Sequence, residues 1–243
     1  LIPDGTEPHD FQPTTKTMQA LSKADILIYN STGMERWVEQ TTQAAANPKL
    51  VIVEASKDTD RISLTEADEI RAHGQYDPHT WLSLSCAQTE VKNIAEALAA
   101  ADKTNADFYR KNAAEYNQKL QALLAAYQKK FSKLEQKDFV TGHAAFAYLC
   151  RDFGLQQQSI EDVFASGEPS AQNLAKLTAY CKEHNVKTIF VEEAVSPKTS
   201  ETLAREVGAT TQEIYTIESS NGEKTYLTRM EENLDAIYKS LKK

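Results

Sequence analysis

The chain has 243 residues, is 41% hydrophobic and carries 27 basic against 35 acidic side chains, which gives a formal net charge of −8. This length allows one large domain or two of ordinary size, and a negative charge without a basic tract argues against nucleic acid as a partner. No run of about 18 apolar residues occurs, so the sequence predicts no membrane-spanning helix.

Apolar, β-rich runs alternate with helical patterns in the first part of the chain. Residues 26–29 and 50–53 predict two buried strands, and a helical pattern lies between them from about residue 34 to 46. This strand–helix–strand order is typical of a parallel sheet, because parallel neighbours need a crossover connection.

A long segment without glycine or proline follows at residues 104–135, where apolar side chains recur at steps of three and four. This pattern predicts one amphipathic helix of roughly 48 Å at a rise of about 1.5 Å per residue. We interpret it as a rigid helix that joins an N-terminal α/β lobe, residues 1–103, to a C-terminal α/β lobe, residues 136–243. Bending such a helix would break backbone hydrogen bonds, so we expect little hinge motion.

The strand–helix alternation resumes in the second lobe. Strands are predicted at 139–141, 188–191 and 213–217, and helices are predicted to begin at Ser170 and at Ser196 with Pro197. Serine is a favoured helix N-cap, and proline is tolerated in the first turn. The sequence therefore predicts an α/β fold with mainly parallel sheets in both lobes.

The three cysteines are odd in number and form no CxxC motif. A disulfide framework or a cysteine metal site would need paired spacing. We expect Cys86, Cys150 and Cys181 to be small core residues.

Three of the five histidines directly follow a proline or a glycine. His9 and His79 come after prolines, and His143 comes after Gly142, behind a predicted strand and at the start of a helix. In parallel α/β sheets ligands collect beyond the carboxyl ends of the strands, and a fixed backbone can hold an imidazole at the angle a metal requires. Each of these histidines taken singly is more often an ordinary hydrogen-bonded residue, and no HExxH motif is present.

The other two histidines have simpler interpretations. His73 has the surroundings of a loop residue, and His184 lies where a positive charge favours a helix C-terminus. Neither is assigned to a metal site.

The order of five motifs resembles the zinc and manganese solute-binding proteins of bacterial ABC importers. The motifs are PHDFQPT, YDPHTWLS, TGHAAFAYLCRDFGL, GEPSAQNLAKL and KTIFVEEAVSPKTSETLAREVG. They span nearly the whole chain and are most similar to the zinc branch, which includes laminin-binding and adhesin-type lipoproteins. The resemblance implies two α/β lobes joined by a long helix, with the metal in the cleft between the lobes.

The resemblance also implies three of the metal ligands. His9 and His79 would bind from the first lobe and His143 from the second. The manganese branch commonly has a carboxylate at the position of His143, so this residue favours Zn²⁺ and makes Mn²⁺ the less suitable metal.

The fourth ligand implied by the resemblance is a carboxylate after the last strand, where Glu218 lies. Glu192 and Glu193 also end a strand and remain alternatives. Three imidazoles and one carboxylate suit tetrahedral Zn²⁺, whereas Mn²⁺ prefers more oxygen ligands.

The function implied by the resemblance is that of an extracytoplasmic binding protein, not an enzyme, which captures Zn²⁺ and delivers it to an ABC permease. We expect a monomer, attached to the membrane only by a lipid anchor that this chain does not contain. One alternative is a zinc hydrolase with Glu218 as the general base beside a metal-bound water. Another is a manganese-binding or adhesin lipoprotein that binds a host matrix protein, for which the sequence offers no adhesive patch or repeat.

Two departures from the family pattern limit these expectations. The opening LIPDG is typical of the interior of a longer precursor, and family members usually have a strand and a helix before it, so we expect the first lobe to lack both. Many zinc-branch members also carry a histidine-rich loop before the second ligand. Residues 54–77 contain a single histidine, His73, and this argues against a metal-gathering loop.

Overall fold

The computed structural model describes residues 1–3, 6, 8–165, 170–193, 197–219, 222 and 224–242. The chain divides into two compact units, Leu1–Ala122 (unit 1) and Leu123–Lys243 (unit 2). Both contain a parallel β-sheet with helices, so the predicted α/β fold is confirmed. Among the described residues no helix combines the length and the hydropathy of a membrane span.

Unit 1 is built on a two-stranded parallel sheet with the predicted helical crossover. Its elements are α1 (Thr15–Leu21), β1 (Ile26–Tyr29), α2 (Val38–Ala45), β2 (Val51–Glu54), α3 (Ala67–His73), α4 (Leu84–Ala101) and the first part of α5 (Ala106–Phe131). Short 3-10 helices occur at Pro8–Asp10, Thr80–Leu82 and Lys103–Asn105. Strand β1 pairs with β2, so that Ile26 lies beside Val51.

Helix α2 begins four residues later than predicted. The segment before it forms turns in which the carboxylate of Glu35 accepts the backbone N–H groups of Asn30 and Ser31, both at 3.1 Å. These bonds satisfy the backbone N–H groups without a helix. Hydrophobic periodicity alone does not reveal such side-chain bonds. Helix α2 ends at Ala45, close to the predicted end at residue 46, because Ala46 adopts a left-handed conformation with φ of 48°.

The long helix α5 is shorter than predicted at both ends. Asp102 accepts the backbone N–H of Asn105 and so favours a 3-10 turn before the helix begins. After Phe131 the chain continues in tight turns, with Lys133 N–H donating to the Lys130 carbonyl. The division between the two units falls inside α5, and the lobe limits at residues 103 and 136 stay a prediction.

Unit 2 is built on a four-stranded parallel sheet of order β4-β3-β5-β6. Its elements are β3 (Asp138–Thr141), α6 (Ala147–Phe153), β4 (Gln156–Ser159), α7 (Ala171–Glu183), β5 (Thr188–Glu192), α8 (Lys198–Val207), β6 (Thr210–Ile214) and α9 (Tyr226–Leu241). Helix α7 begins behind Ser170 as predicted, and the Ser170 side chain accepts the Asn173 N–H. Ser196, predicted as the next N-cap, lies outside the described residues.

The core of unit 2 contains apolar side chains from the sheet and from the helices beside it. Its buried members are Val140, Ile160, Leu177, Cys181, Val186, Ile189, Leu203 and Ala204. Cys86, Cys150 and Cys181 are all free and buried, which confirms that they are core residues.

Candidate metal centre

In unit 1 the structure brings two of the predicted ligands together. His9 lies in the 3-10 helix Pro8–Asp10, and His79 lies directly before the one at Thr80–Leu82. Their Nε2 atoms are 3.3 Å apart. Two nitrogens bound at about 2.0–2.1 Å to one tetrahedral Zn²⁺ would be about 3.3–3.4 Å apart, so the observed spacing suits a shared ion.

A buried carboxylate sets the orientation of His79. Asp77 Oδ1 accepts the backbone N–H of His79 at 2.9 Å and lies 2.9 Å from its Nδ1. The His79 side chain is 0% exposed and that of Asp77 is 2% exposed. With Nδ1 directed at a carboxylate, the Nε2 atom is left to face His9 and a metal.

A second network lies behind His79. Thr80 Oγ1 donates to Glu90 Oε1 at 2.6 Å and also bonds Asn30, whose side-chain amide donates to the Pro78 carbonyl at 2.7 Å. Burial raises the pKa of Glu90 to about 7, against the lowering effect of the Thr80 hydrogen bond and with a smaller contribution from the charge of Glu35.

The raised pKa of Glu90 predicts a pH-dependent stability of unit 1. A carboxyl group whose folded pKa exceeds its unfolded value of 4.5 contributes stability below that value and loses it as the pH rises through about 7. We expect Glu90→Gln to raise the free energy of unfolding at about pH 8 by up to about 3 kcal/mol, and to have little effect at about pH 4.

Urea unfolding followed by tryptophan fluorescence measures this effect, because Trp37 and Trp81 both lie in unit 1. Glu135→Gln, at an exposed position, is the matched control. Equal stability of the wild type and Glu90→Gln at both pH values would contradict the prediction.

In unit 2 the structure brings His143 and Glu218 together. His143 follows β3, and its Nε2 lies 3.7 Å from Glu218 Oε1. The two side chains are only 3% and 2% exposed. A buried imidazole next to a buried carboxylate is a favourable arrangement for binding a divalent cation, which would take the place of a proton between them.

The electrostatics of this pair favour a bound positive charge. Burial alone would lower the pKa of the His143 imidazole, but the adjacent carboxylates of Glu192 and Glu218 outweigh it and raise the pKa to about 10. Without a metal, this environment favours the protonated form of the His143 imidazole.

The other two candidate carboxylates make different contacts. Glu192 Oε1 accepts the backbone N–H of His143 at 3.0 Å and lies 3.6 Å from its Nδ1. Glu193 accepts the backbone N–H groups of Thr216 and Ile217 at 2.8 and 3.1 Å, directly before Glu218.

These Glu193 bonds also explain why the last strand differs from the prediction. The backbone donors of residues 216 and 217 bind a side chain instead of a neighbouring strand. Strand β6 accordingly ends at Ile214, and Ile217 takes a left-handed φ of 58°.

The other two histidines, His73 and His184, belong to neither of these pairs. His73 is the last residue of α3, not a loop residue as predicted, because Gly74 ends that helix. His184 follows α7 as predicted for a helix C-terminus, and its ring stacks on Tyr180 with ring centroids 4.1 Å apart.

Sequence reasoning missed Asp77 and Gly142 as parts of the site. The signal for Asp77 was in the DPH motif, because an aspartate often accepts the N–H two residues further on. The sequence singles out Gly142 only as the residue before His143. Its contact with a strand 50 residues away could not be found without the fold.

Known proteins of zinc uptake are similar to this chain over nearly its whole length. A family model described as zinc-uptake complex component A, periplasmic (ZnuA), matches residues 1–240. The chain belongs to this family. The high-affinity zinc uptake system protein ZnuA of Bacillus subtilis is 42% identical over 254 residues, which cover 99% of this chain and 79% of the relative.

Solved structures of ZnuA-like proteins are also similar. A mutant structure of the laminin-binding adhesin Lmb of Streptococcus agalactiae is 34% identical with a TM-score of 0.91, covering 99% of this chain and 90% of Lmb. A Zn(II)-bound mutant variant of AdcAII from Streptococcus pneumoniae is 33% identical with a TM-score of 0.88, covering 98% and 87% of the two chains.

These findings confirm the predicted zinc branch of the solute-binding proteins, and zinc as the metal that this branch carries. The family consists of components of zinc uptake, so the expectation that the chain is not an enzyme is confirmed and the hydrolase alternative gains no support. The family description also agrees with an extracytoplasmic location.

Proposed function

We propose that one Zn²⁺ is bound by His9 and His79 of unit 1 together with His143 and Glu218 of unit 2. The observation that supports this most directly is the 3.3 Å spacing of the His9 and His79 Nε2 atoms, which suits two ligands of one ion. The buried His143 and Glu218 would add a third imidazole and the carboxylate that balances the charge of Zn²⁺.

The proposed activity is capture and delivery. Zn²⁺ would exchange its water molecules for three neutral imidazoles and one carboxylate, and the loaded protein would dock on an ABC permease. Four protein ligands leave no open coordination position, so release would require the withdrawal of at least one ligand. A hydrolase would instead keep a water on the metal and leave Glu218 unbound as its base.

We expect the protein to act as a monomer and to be held at the membrane by a lipid anchor. Binding to a host matrix protein remains a secondary prediction, suggested by the name of the laminin-binding relative.

Calorimetric titration of the metal-free chain with Zn²⁺, and separately with Mn²⁺, tests the proposal. We expect one Zn²⁺ per chain and weaker Mn²⁺ binding. Glu218→Gln should lower zinc affinity at least about 10-fold, because it removes a charged ligand. Glu201→Gln, at an exposed position on α8, is the control.

Glu218→Gln also distinguishes a carrier from a hydrolase. If Glu218 is a general base and not a ligand, Glu218→Gln retains wild-type zinc affinity, and X-ray absorption shows an oxygen from water in the coordination shell. That pair of results would contradict the proposal.

A further inference from the structure

We infer that Glu192 is a positioning residue that fixes Nε2 of His143 as the metal-binding nitrogen, and that Gly142 leaves the space this carboxylate occupies. The inference deepens the proposed function and rests on His143 being a zinc ligand. It assigns Glu192 a role different from that of a fourth ligand.

One oxygen of Glu192 faces two groups of the same histidine. Glu192 Oε1 accepts the backbone N–H of His143 at 3.0 Å and lies 3.6 Å from Nδ1 of its ring. The Glu192 side chain is only 1% exposed at the end of β5. An imidazole that directs Nδ1–H at a carboxylate keeps the lone pair of Nε2 for the metal and becomes a stronger base.

Gly142 explains how a carboxylate can lie so close to the main chain. A Cβ atom at position 142 would overlap Glu192 Oε2 and would lie 3.0 Å from its Cδ. No larger residue fits there without moving the Glu192 carboxylate. A glycine before His143 is thus needed for space, not only for backbone freedom.

Unit 1 contains a similar arrangement with a shorter contact to the ring, built from a different sequence pattern. Asp77 Oδ1 accepts the backbone N–H of His79 and faces Nδ1, both at 2.9 Å. Asp77 is two residues before its histidine, whereas Glu192 is 49 residues after His143. In both units one carboxylate oxygen accepts the backbone N–H of the histidine and faces its Nδ1, and this recurrence from two unrelated spacings supports a function in orienting the imidazole.

This geometry also separates Glu192 from Glu218. Glu218 faces the Nε2 side of the His143 ring and Glu192 the Nδ1 side. To bind a metal held at Nε2, Glu192 would have to leave the backbone N–H of His143, and that buried donor would lose its partner at a cost of about 1–3 kcal/mol.

A double-mutant cycle with His143 tests the inference. Zinc affinity is measured by competition with a chromophoric chelator for the wild type, Glu192→Gln, His143→Ala and the double variant. We expect Glu192→Gln to lower affinity about 10–100-fold when His143 is present, and less than about threefold in the His143→Ala background. The visible spectrum of bound Co²⁺ should also change in Glu192→Gln, because the imidazole is reoriented.

Gly142→Ala provides a second, independent variant. It should lower zinc affinity by a similar factor, because the new methyl group displaces the Glu192 carboxylate. Adding Glu192→Gln to Gly142→Ala should then cause little further loss. Glu201→Gln is again the control, and thermal unfolding verifies that each variant is folded.

The outcomes distinguish this inference from the proposed function. Equal losses from Glu192→Gln with and without His143 would show that Glu192 acts as a ligand or only in stability, and would overturn the inference. Wild-type affinity in Glu192→Gln would overturn it too, while leaving the proposed function intact. A wild-type chain without a zinc site, or one unaffected by His143→Ala, would overturn both.

Discussion

Alanine at His79 or at His143 should each lower zinc affinity at least about 100-fold. Four-ligand zinc sites bind with about 10–16 kcal/mol, which corresponds to roughly 3 kcal/mol per ligand, and about 1.4 kcal/mol is a factor of ten. Because we propose that one ion is shared, loss of a ligand from unit 1 and loss of one from unit 2 should have similar consequences.

Chelator competition measures this effect, and calorimetry gives the number of ions bound. His184→Ala is the matched control, since this histidine packs on Tyr180 and is not a proposed ligand. If calorimetry finds two ions per wild-type chain, and His79→Ala and His143→Ala each remove a different one, each unit binds its own ion and the shared site is wrong.

Zinc affinity should fall at least about 100-fold between about pH 7.5 and about pH 5.5. The metal binds neutral imidazole, so a proton competes with it tenfold per pH unit wherever the free histidine is protonated. The pKa of His143 is raised to about 10, so this residue alone contributes over the whole interval.

The raised pKa of His143 also predicts a change in zinc affinity above neutral pH. A site made only of ordinary histidines would reach constant affinity above about pH 7.5, whereas a histidine with a pKa of about 10 continues to lose its proton as the pH rises. Affinity should therefore increase up to about 10-fold between about pH 7.5 and about pH 8.5. His143→Ala should remove this increase, and a constant affinity across the wild-type profile would contradict histidine ligation by this residue.

Much of the fold could be predicted because most of its strands are apolar and its helices are periodic. Strands β1, β2, β3 and β5 all lie in runs of this kind. Strand β4 was missed because three of its four residues are glutamines, which carry no strand pattern, and it forms through its pairing with β3. The late start of α2 and the early end of β6 depended on Glu35 and Glu193, whose carboxylates bind backbone donors.

The candidate site was predictable to a different extent. The three proposed histidine ligands could be recognised because a proline or a glycine precedes each of them. The family resemblance supplied Glu218. The contacts of Glu192 and Glu193 could not be separated by sequence, since the two residues are adjacent at the end of one strand. Only the fold shows that one carboxylate faces His143 and the other the segment before Glu218.

The end of β5 gives these two adjacent glutamates a joint effect. Glu192 is bonded to the main chain of His143, and Glu193 is bonded to the main chain just before Glu218. Both proposed ligands of unit 2 are thus attached to one short piece of polypeptide. A permease that displaces the end of β5 would move both proposed ligands of unit 2, an imidazole and a carboxylate, in a single step. Zinc release would then need one conformational change and not two.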